Sequence, residues 1–287
     1  MELGERDPHT GKMTTGHEWN GIKELDTPVP GPVLFFLGVT ILFAILWTTL
    51  MPAWPTVTDY TRGLLGVDQR TTVEASITAA AAERAEWSAR LASEDFAAIA
   101  ADAGLMTVVR EAGNTLFGDN CAACHGARGE GNIGYPNIAR APTLWGDDPA
   151  TILETIRVGI NSAHPETRYS QMPAFGRDQM LQQDDIKRVV AFVRGLSDPT
   201  IDDPDSAGAQ IFADNCASCH GASAEGMTEG GTPNLTDTFW IYGGGAETVF
   251  TSVYYGRQGH MPTWEGRLSQ TDLKLLAAYV HDLRSHS

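Results

Sequence analysis

The sequence predicts an all-α chain in which one N-terminal membrane-spanning helix is followed by two tandem copies of a small helical domain. Three observations carry this reading. Residues 33–51 (VLFFLGVTILFAILWTTLM) contain no charged side chain. An internal repeat matches the region after residue 113 to the region after residue 208 at an offset of 95. All four cysteines of the 287-residue chain fall in two C-x-x-C-H segments, Cys121-Ala-Ala-Cys124-His125 and Cys216-Ala-Ser-Cys219-His220.

Residues 1–31 are polar, rich in Gly and Pro and net −3, so they read as a cytoplasmic tail with little structure of its own, in which His9 and His17 are exposed. The anchor is placed at residues 32–55. Its uncharged run of 19 residues lies between Pro30 and Pro32 on one side and Pro52 and Pro55 on the other. About 20 apolar residues cross a bilayer as a helix. The apolar region of a signal peptide stops at about 15 residues and is followed by a small-residue cleavage pattern, which is not found here. Trp47 and Trp54 suit the membrane interface. Arg6, Lys12 and Lys23 before the span against Arg62 and Arg70 after it lean slightly towards an inside N-terminus.

Residues 56–107 form a helical connector. Thr71-x-x-Glu74 predicts a capping box opening an alanine-rich helix on which Val73, Ile77, Ala80, Trp87 and Leu91 share a face, with Arg84 the exception. One or two helices are expected over residues 71–107, with Trp87 in a core.

The repeat organises the remainder into residues 108–197 and 198–287. Gly113-Asn-Thr-Leu-Phe117-Gly-Asp-Asn-Cys121 matches Gly208-Ala-Gln-Ile-Phe212-Ala-Asp-Asn-Cys216, Pro136-Asn137-Ile138 matches Pro233-Asn234-Leu235, and Met172-Pro173 matches Met261-Pro262. Residues 186–193 likewise match residues 273–280. Each copy reads as helix, C-x-x-C-H segment, Gly/Pro-rich loop, short helix, Met-Pro loop and terminal helix. Asp148-Pro149 supplies an N-cap and a first-turn proline, and Ser269-x-x-Asp272 opens the last helix. Phe117 and Phe212 lie four residues before a cysteine, and Phe192 and Tyr279 hold matching places on the terminal helices. Gly113 and Gly208 are expected to let the first and last helices of each copy cross closely, with that copy's aromatic pair between them. Residues 196–205 (LSDPTIDDPD) read as a linker short enough to keep the copies together.

Two thiols three residues apart can reach both vinyl groups of one porphyrin while the adjacent histidine swings onto the iron. A thioredoxin-like pair or a four-cysteine zinc site would use the same spacing. Each pair here has its own histidine, and the pairs stand 95 residues apart. Two covalently bound haem c groups are therefore expected, on Cys121 and Cys124 with His125 as iron ligand, and on Cys216 and Cys219 with His220. The two copies are therefore expected to be cytochrome c-like haem domains. For the sixth ligand, Met172 and Met261 occupy matched loops, 47 residues after His125 and 41 after His220, and a thioether raises the potential of a haem iron. His164 and His260 compete as bis-His ligands, whereas Met180 and Met227 have no repeat partner. Arg168, Tyr169, Arg177 and Arg257 lie near the Met loops and are candidates to meet haem propionates, though position alone assigns none. The formal charge of −16 argues against nucleic-acid binding and for a basic partner.

The tail adds Thr14-Thr15-Gly16-His17-Glu18-Trp19-Asn20-Gly21-Ile22 and Glu24-Leu25-Asp26-Thr27-Pro28, and the span exits through Met51-Pro52-Ala53-Trp54-Pro55. With the duplicated C-x-x-C-H domains, these segments make the whole chain resemble the dihaem subunit (subunit III, CcoP/FixP type) of cbb3-type cytochrome c oxidases. Asn20 stands where that family usually has Asp, and Asp26-Thr-Pro-Val-Pro-Gly also departs from its pattern. The resemblance implies a single-pass protein of the bacterial inner membrane, in contact with membrane lipid, with a cytoplasmic N-terminus and periplasmic haem domains. It implies electrons accepted from a donor c-type cytochrome and passed to a monohaem subunit and then to the haem-copper subunit that reduces oxygen. Its haem residues carry over as Cys121, Cys124, His125 and Met172, then Cys216, Cys219, His220 and Met261. No catalytic residue is expected, so the chain is not an enzyme on its own. Two rivals share these features: an independent membrane-anchored dihaem shuttle, and a dihaem peroxidase, against which the matched Met loops speak.

Overall fold

The computed structural model describes residues 4–198, 200–201 and 206–286. The chain divides into two units, residues 1–83 and 84–287.

In the first unit the tail is more structured than its composition suggests. Strands β1 (Thr14–Trp19) and β2 (Ile22–Leu25) pair antiparallel, with Trp19 opposite Ile22. Asn20 and Gly21 make the turn at φ 50° and 85°, and Asn-Gly is a strong two-residue hairpin signal because both positions need positive φ. Thr14 is buried, and both its amide and its hydroxyl donate to the Glu5 carbonyl at 3.0 Å. Helix α1 (Gly31–Leu50) starts with proline in its first turn, has mean hydropathy 2.4 and buries none of its side chains. A helix apolar on every side is what a lipid surround requires. The hydroxyls of Thr40, Thr48 and Thr49 donate back to carbonyls of their own helix at 2.7–2.9 Å, so none is left unpaired on that apolar surface.

Helix α2 (Gln69–Ser93) begins earlier than the capping box predicted. The carboxylate of Asp68 accepts from the Arg70 amide at 2.9 Å, and the Thr71 hydroxyl donates to the Asp68 carbonyl. The apolar stripe is used only at its C-terminal end: Val73 and Ile77 are exposed, whereas Leu91 is fully buried with Trp87 beside it.

Helices of 4 to 18 residues, some of them capped by Asp or Ser, build the second unit. They are α3 (Phe96–Ala101), α4 (Ala103–Asn120), α5 (Ala122–His125), α6 (Pro149–Val158), α7 (Gln183–Ser197), α8 (Ser206–Asn215), α9 (Ala217–His220), α10 (Ala246–Tyr255) and α11 (Gln270–Ser285). Asp95 and Asp102 cap α3 and α4. Asp148 accepts from the Thr151 amide with Pro149 in the first turn of α6, and Ser269 and Asp272 form a reciprocal capping box on α11, both as expected.

The helix pairing overturns one expectation. The first and last helices of each repeat copy do not cross; the terminal helices are exchanged. Helix α4 of the first copy packs on α11 of the second, and α8 of the second copy packs on α7 of the first. Phe117 accordingly meets Tyr279 with ring centroids 5.6 Å apart, and Phe212 meets Phe192 at 5.5 Å. The two glycines do mark the crossings: a Cβ on Gly113 would lie 2.7 Å from Tyr279 Cβ, and one on Gly208 would lie 2.6 Å from the Arg188 carbonyl oxygen. One core therefore joins Leu105, Val109 and Phe117 of α4 with Ile152 and Ile156 of α6 and Leu273, Leu276 and Val280 of α11. The other half is built from Phe175, Ile186 and Val190 with Val249 and Val253 of α10, and from Val189, Val193, Phe212 and Ala224.

Repeat copies offer equivalent crossing surfaces, so self-pairing and exchanged pairing bury similar contacts. The short connection from α7 to α8 favours the exchanged one, because neighbours joined by few residues pack together at little loop-closure cost. Half of the linker expected over residues 196–205, namely residues 199 and 202–205, lies outside the described residues, and residues 196–197 belong to α7. Across the α4–α11 crossing, Arg110 makes two 2.9 Å hydrogen bonds to Asp282, and the Tyr279 hydroxyl lies 3.1 Å from Asn114 Oδ1. The guanidinium holds the Asp282 carboxyl below its ordinary range. This contribution is therefore present above the usual carboxylate pKa and is lost on acidification through the lowered value.

A double-mutant cycle reads the exchange directly. Phe117→Leu and Tyr279→Leu are expected to couple by about 0.5–1.5 kcal/mol, the usual aromatic-pair term, while Phe117→Leu and Phe192→Leu are expected to add without coupling in denaturant unfolding.

Candidate haem centres

Both C-x-x-C-H segments fold identically. Cys121 ends α4, the His125 amide donates to the Cys121 carbonyl at 3.0 Å, and Gly126 ends the turn at φ 80°. Cys216, His220 and Gly221 repeat this at 2.9 Å and 82°. A left-handed residue directly after the histidine reverses the chain, which folds the following loop back over the imidazole. Gly131 then donates to the His125 carbonyl at 2.7 Å, and Gly226 to that of His220 at 2.8 Å.

The folded-back loop fixes each imidazole. His125 Nδ1 lies 3.1 Å from the Pro136 carbonyl oxygen, and His220 Nδ1 lies 3.0 Å from that of Pro233. A carbonyl only accepts, so Nδ1 carries the proton and Nε2 the lone pair, the arrangement that orients a histidine towards a metal. Burial pushes both imidazoles below the usual histidine pKa, which keeps them neutral and able to ligate. Proline has no N–H to compete and its carbonyl is free to accept, which gives the matched Pro-Asn pairs of the repeat their purpose.

The bland alternatives fit less well. Among the described residues no group of three or more His, Cys, Asp or Glu side chains comes together to hold a metal ion, so the four cysteines do not form a zinc site. Burial and the neighbouring thiol push Cys121 and Cys216 up to about 11, whereas a thioredoxin-like redox pair needs a lowered thiol.

The two Met loops run beside the exchanged segments. Met261 and Ile160 exchange backbone hydrogen bonds of 2.9 Å each way, and Met172 and Arg257 do so at 2.8 and 3.1 Å. Met261 packs against the core that holds Phe117, Cys121 and Ala122. Met172 packs against Phe175, Ile186, Val249 and Val253, a cluster joined through Trp240 to the one that touches Cys216 and Ala217.

Of the competing histidines, His164 is otherwise engaged. His164 Nε2 is 2.6 Å from Glu265 and its Nδ1 accepts from the Glu166 amide at 3.0 Å, so both ring nitrogens are occupied. His260 is exposed and its Nδ1 is 3.0 Å from the Asn161 carbonyl. Of the residues near the Met loops, Arg177 pairs with Asp178 at the surface, Tyr169 is exposed beside Gln171, and Arg257 donates to the Ser252 hydroxyl at 3.0 Å. The loops after both C-x-x-C-H segments converge on a cleft of about 270 Å³ lined by Pro136, Asn137, Pro233, Asn234 and Trp240. Met180 and Met227 are exposed.

Three features escaped the sequence reading. Arg157 bonds Glu154, Glu166 and Glu265, tying α6 to the loop just beyond Met261. Asn161, at φ 48°, donates from its side chain to the Ser170 and Gly259 carbonyls at 2.8 and 2.7 Å, joining the two crossing segments. The histidine-orienting carbonyls were visible only as an unexplained Pro-Asn repeat.

Three family descriptions match the chain. "N-terminal domain of cytochrome oxidase-cbb3, FixP" covers residues 11–58, "Cytochrome c" covers residues 110–197, and "Cytochrome C oxidase, cbb3-type, subunit III" covers residues 203–280. Among similar proteins, the cbb3-type cytochrome c oxidase subunit FixP of Bradyrhizobium sp. (strain ORS 278) is 44% identical over 281 residues, 97% of each chain. The corresponding subunit CcoP of Cereibacter sphaeroides is 44% identical over 272 residues, 94% of each chain, and that of Azospirillum sp. (strain B510) is 38% identical over 292 residues, 99% of each chain.

Replacing Cys121 and Cys124 together by alanine is expected to leave a chain with one haem rather than two, counted as haem iron per polypeptide.

Proposed function

Because the chain belongs to the CcoP/FixP family, the membrane-anchored electron-transfer subunits of cbb3-type cytochrome c oxidase with covalently bound haem c, we propose that it relays single electrons from a donor c-type cytochrome through its two haems to a monohaem subunit and on to a haem-copper subunit. The carrying observation is the pair of matched C-x-x-C-H loops, each with its histidine oriented by a proline carbonyl. Each haem, when bound, supplies an iron that alternates between ferric and ferrous at a potential set by ligands, burial and nearby charge. The chain's own residues do the rest. Two cysteines anchor each porphyrin, the Nδ1 hydrogen bond holds each imidazole in register, and a thioether favours the ferrous state.

We assign the methionines across the repeat rather than in chain order. Met261 shares a core with Cys121 and serves the iron held by His125, and Met172 serves the iron held by His220. This reverses the pairing that the order of the motifs suggests, for the same reason that the terminal helices are exchanged.

The haem domains belong on the periplasmic side, where c-type haems are attached and thiol chemistry is kept apart from the cytosol. The N-terminal hairpin is then cytoplasmic. Among the described residues one helix, α1, is long and apolar enough to cross a membrane, too little to house an oxygen-reducing haem-copper centre, so we assign oxygen chemistry to partner chains and not to this chain alone. The formal charge of −16 favours a donor with a basic face.

Isolation from native membranes in mild detergent tests the relay. Cyanide-sensitive oxygen uptake from reduced cytochrome c, with co-purifying b-type haem and copper, is expected. A lone c-type protein without uptake, under conditions that keep a known oxidase intact, would favour an independent carrier. The ligand assignment has its own test in the C121A/C124A chain, which carries only the haem of the second C-x-x-C-H segment. There, Met172→Ala is expected to abolish the methionine-ligated spectrum and Met261→Ala to leave it; the opposite result restores chain-order pairing.

A further inference from the structure

The chain does not leave the end of α1 directly. From Met51 it runs out to Pro55, turns, and returns, so that a β-turn over residues 63–66 lies against the last turn of the helix. The Gly66 amide closes that turn by donating to the Gly63 carbonyl at 3.3 Å. The two arms of the excursion are tied together: the Thr61 amide donates to the Trp54 carbonyl at 2.9 Å, and the Trp54 amide donates to the Thr61 hydroxyl at 3.0 Å. On the return, the Leu64 amide donates to the Thr49 carbonyl at 3.0 Å and the Leu65 amide to the Leu50 carbonyl at 3.1 Å, while the Met51 amide takes the Trp47 carbonyl at 2.8 Å. Gly63, at φ 69°, permits this approach, because a Cβ there would clash with the Leu50 carbonyl.

The last carbonyls of a helix have no partner within it. Where a helix ends in water, water supplies the donors; where it ends at the edge of a bilayer's hydrocarbon, the protein must. The 20 residues of α1 make a length of about 30 Å, the thickness of the hydrocarbon core, so its last turn stands at that edge. The hydrogen bonds to Thr49 and Leu50 set Leu64 and Leu65 at the same depth. Their side chains are 77% and 61% exposed, and Trp54 and Tyr60, one on each arm, are exposed as well. Trp and Tyr are the residues that favour the headgroup region. Residues 52–70 contain Asp59, Asp68, Arg62 and Arg70 and so have no net charge, in a chain of −16. A basic protein partner finds no attraction there, and an anionic bilayer no repulsion. Apolar side chains bare on every side of α1 and again at this turn make a surface that fluid lipid covers, whereas a partner helix covers one stripe.

We propose that the turn at residues 63–66 is a second membrane contact, in which Leu64 and Leu65 enter the lipid tails beside the end of α1 while Trp54 and Tyr60 lie at the headgroups. The proposal rests on the reading that α1 spans the bilayer. Arg62, exposed and 3.9 Å from Asp59, can extend its guanidinium to lipid phosphates. The anchor is then a helix clasped at one end. Its final carbonyls stay bonded where water is scarce, and sliding α1 along the bilayer normal would carry two leucines into water or Arg62 into hydrocarbon.

The test uses the full haem-loaded chain, alone and as isolated with its partner chains, in vesicles of phosphatidylcholine with a minority of phosphatidylglycerol. With the native thiols linked to haem, Leu64→Cys or Leu65→Cys gives the chain a single reactive thiol for a nitroxide label, and the wild type gives the background. Collisions of the label with oxygen, which concentrates in lipid, and with a water-soluble nickel chelate report its depth. Phe43→Cys on α1 and Glu111→Cys on α4, both at exposed positions, serve as lipid and water references. Labels at positions 64 and 65 are expected to gain oxygen collisions and lose nickel collisions, grouping with position 43 in both preparations. Grouping with position 111 overturns the proposal. So does a label shielded from both reagents, with an immobilised spectrum, once the partner chains are present, because a protein then covers the turn. A label at position 43 that behaves in the chain alone like the one at 111 would defeat the membrane-spanning reading instead. Two haems per polypeptide verify each labelled chain, and either leucine position decides.

Discussion

Phe117 against Tyr279 and Phe212 against Phe192 close the two helix crossings through which both haem modules are assembled. Glycine is needed at each crossing because the facing helix comes closer than a Cβ allows, at Tyr279 in one and at the Arg188 carbonyl in the other. Once α11 is committed to α4, and α7 to α8, the loops that precede the terminal helices must follow them. The Met loops are therefore carried into opposite modules, and the segments around Ile160 and Met172 cross those around Met261 and Arg257 in paired backbone hydrogen bonds. The Arg157–Glu265 and His164–Glu265 contacts, together with the Asn161 side chain, hold that crossing in place.

Within this interlocked body the two halves share a plan but not an electrostatic environment. Proline carbonyls orient both histidines in the same way. The surroundings then diverge: Arg168 lies over the Trp145 ring and reaches the Thr151 carbonyl at 3.4 Å, while Arg257 is settled on the Ser252 hydroxyl and the Tyr242 ring.

Much of this was legible in the residues. The C-x-x-C-H segments, the Asp148 and Ser269 caps, the apolar span and the matched Met-Pro loops each depend on local chemistry, and local chemistry is written along the chain. The N-terminal hairpin was also written there, in Asn20-Gly21, but the polarity and glycine content of the tail masked it. The start of α2 shifted to Asp68 because an aspartate accepting a first-turn amide caps as well as the expected threonine. The exchange of helices was not legible from the repeat. Phe192 and Tyr279 are interchangeable by position, so the pattern says that a first helix crosses a last helix but not which one. The deciding term is loop-closure entropy, which depends on the short path from α7 to α8 and leaves no trace in either crossing surface.

The exchange also orders events during synthesis. The first C-x-x-C-H segment leaves the ribosome early, yet its core is completed by residues near the far end of the chain, with hydrogen bonds spanning 165 residues to Tyr279 and 172 to Asp282. Contacts so distant in sequence form late. Cys121 and Cys124 thus stay in an unfinished module until α11 has been made. A chain that stops short of α11 would leave Val109 and Phe117 of α4 without the Leu273, Leu276 and Tyr279 side chains that complete their core.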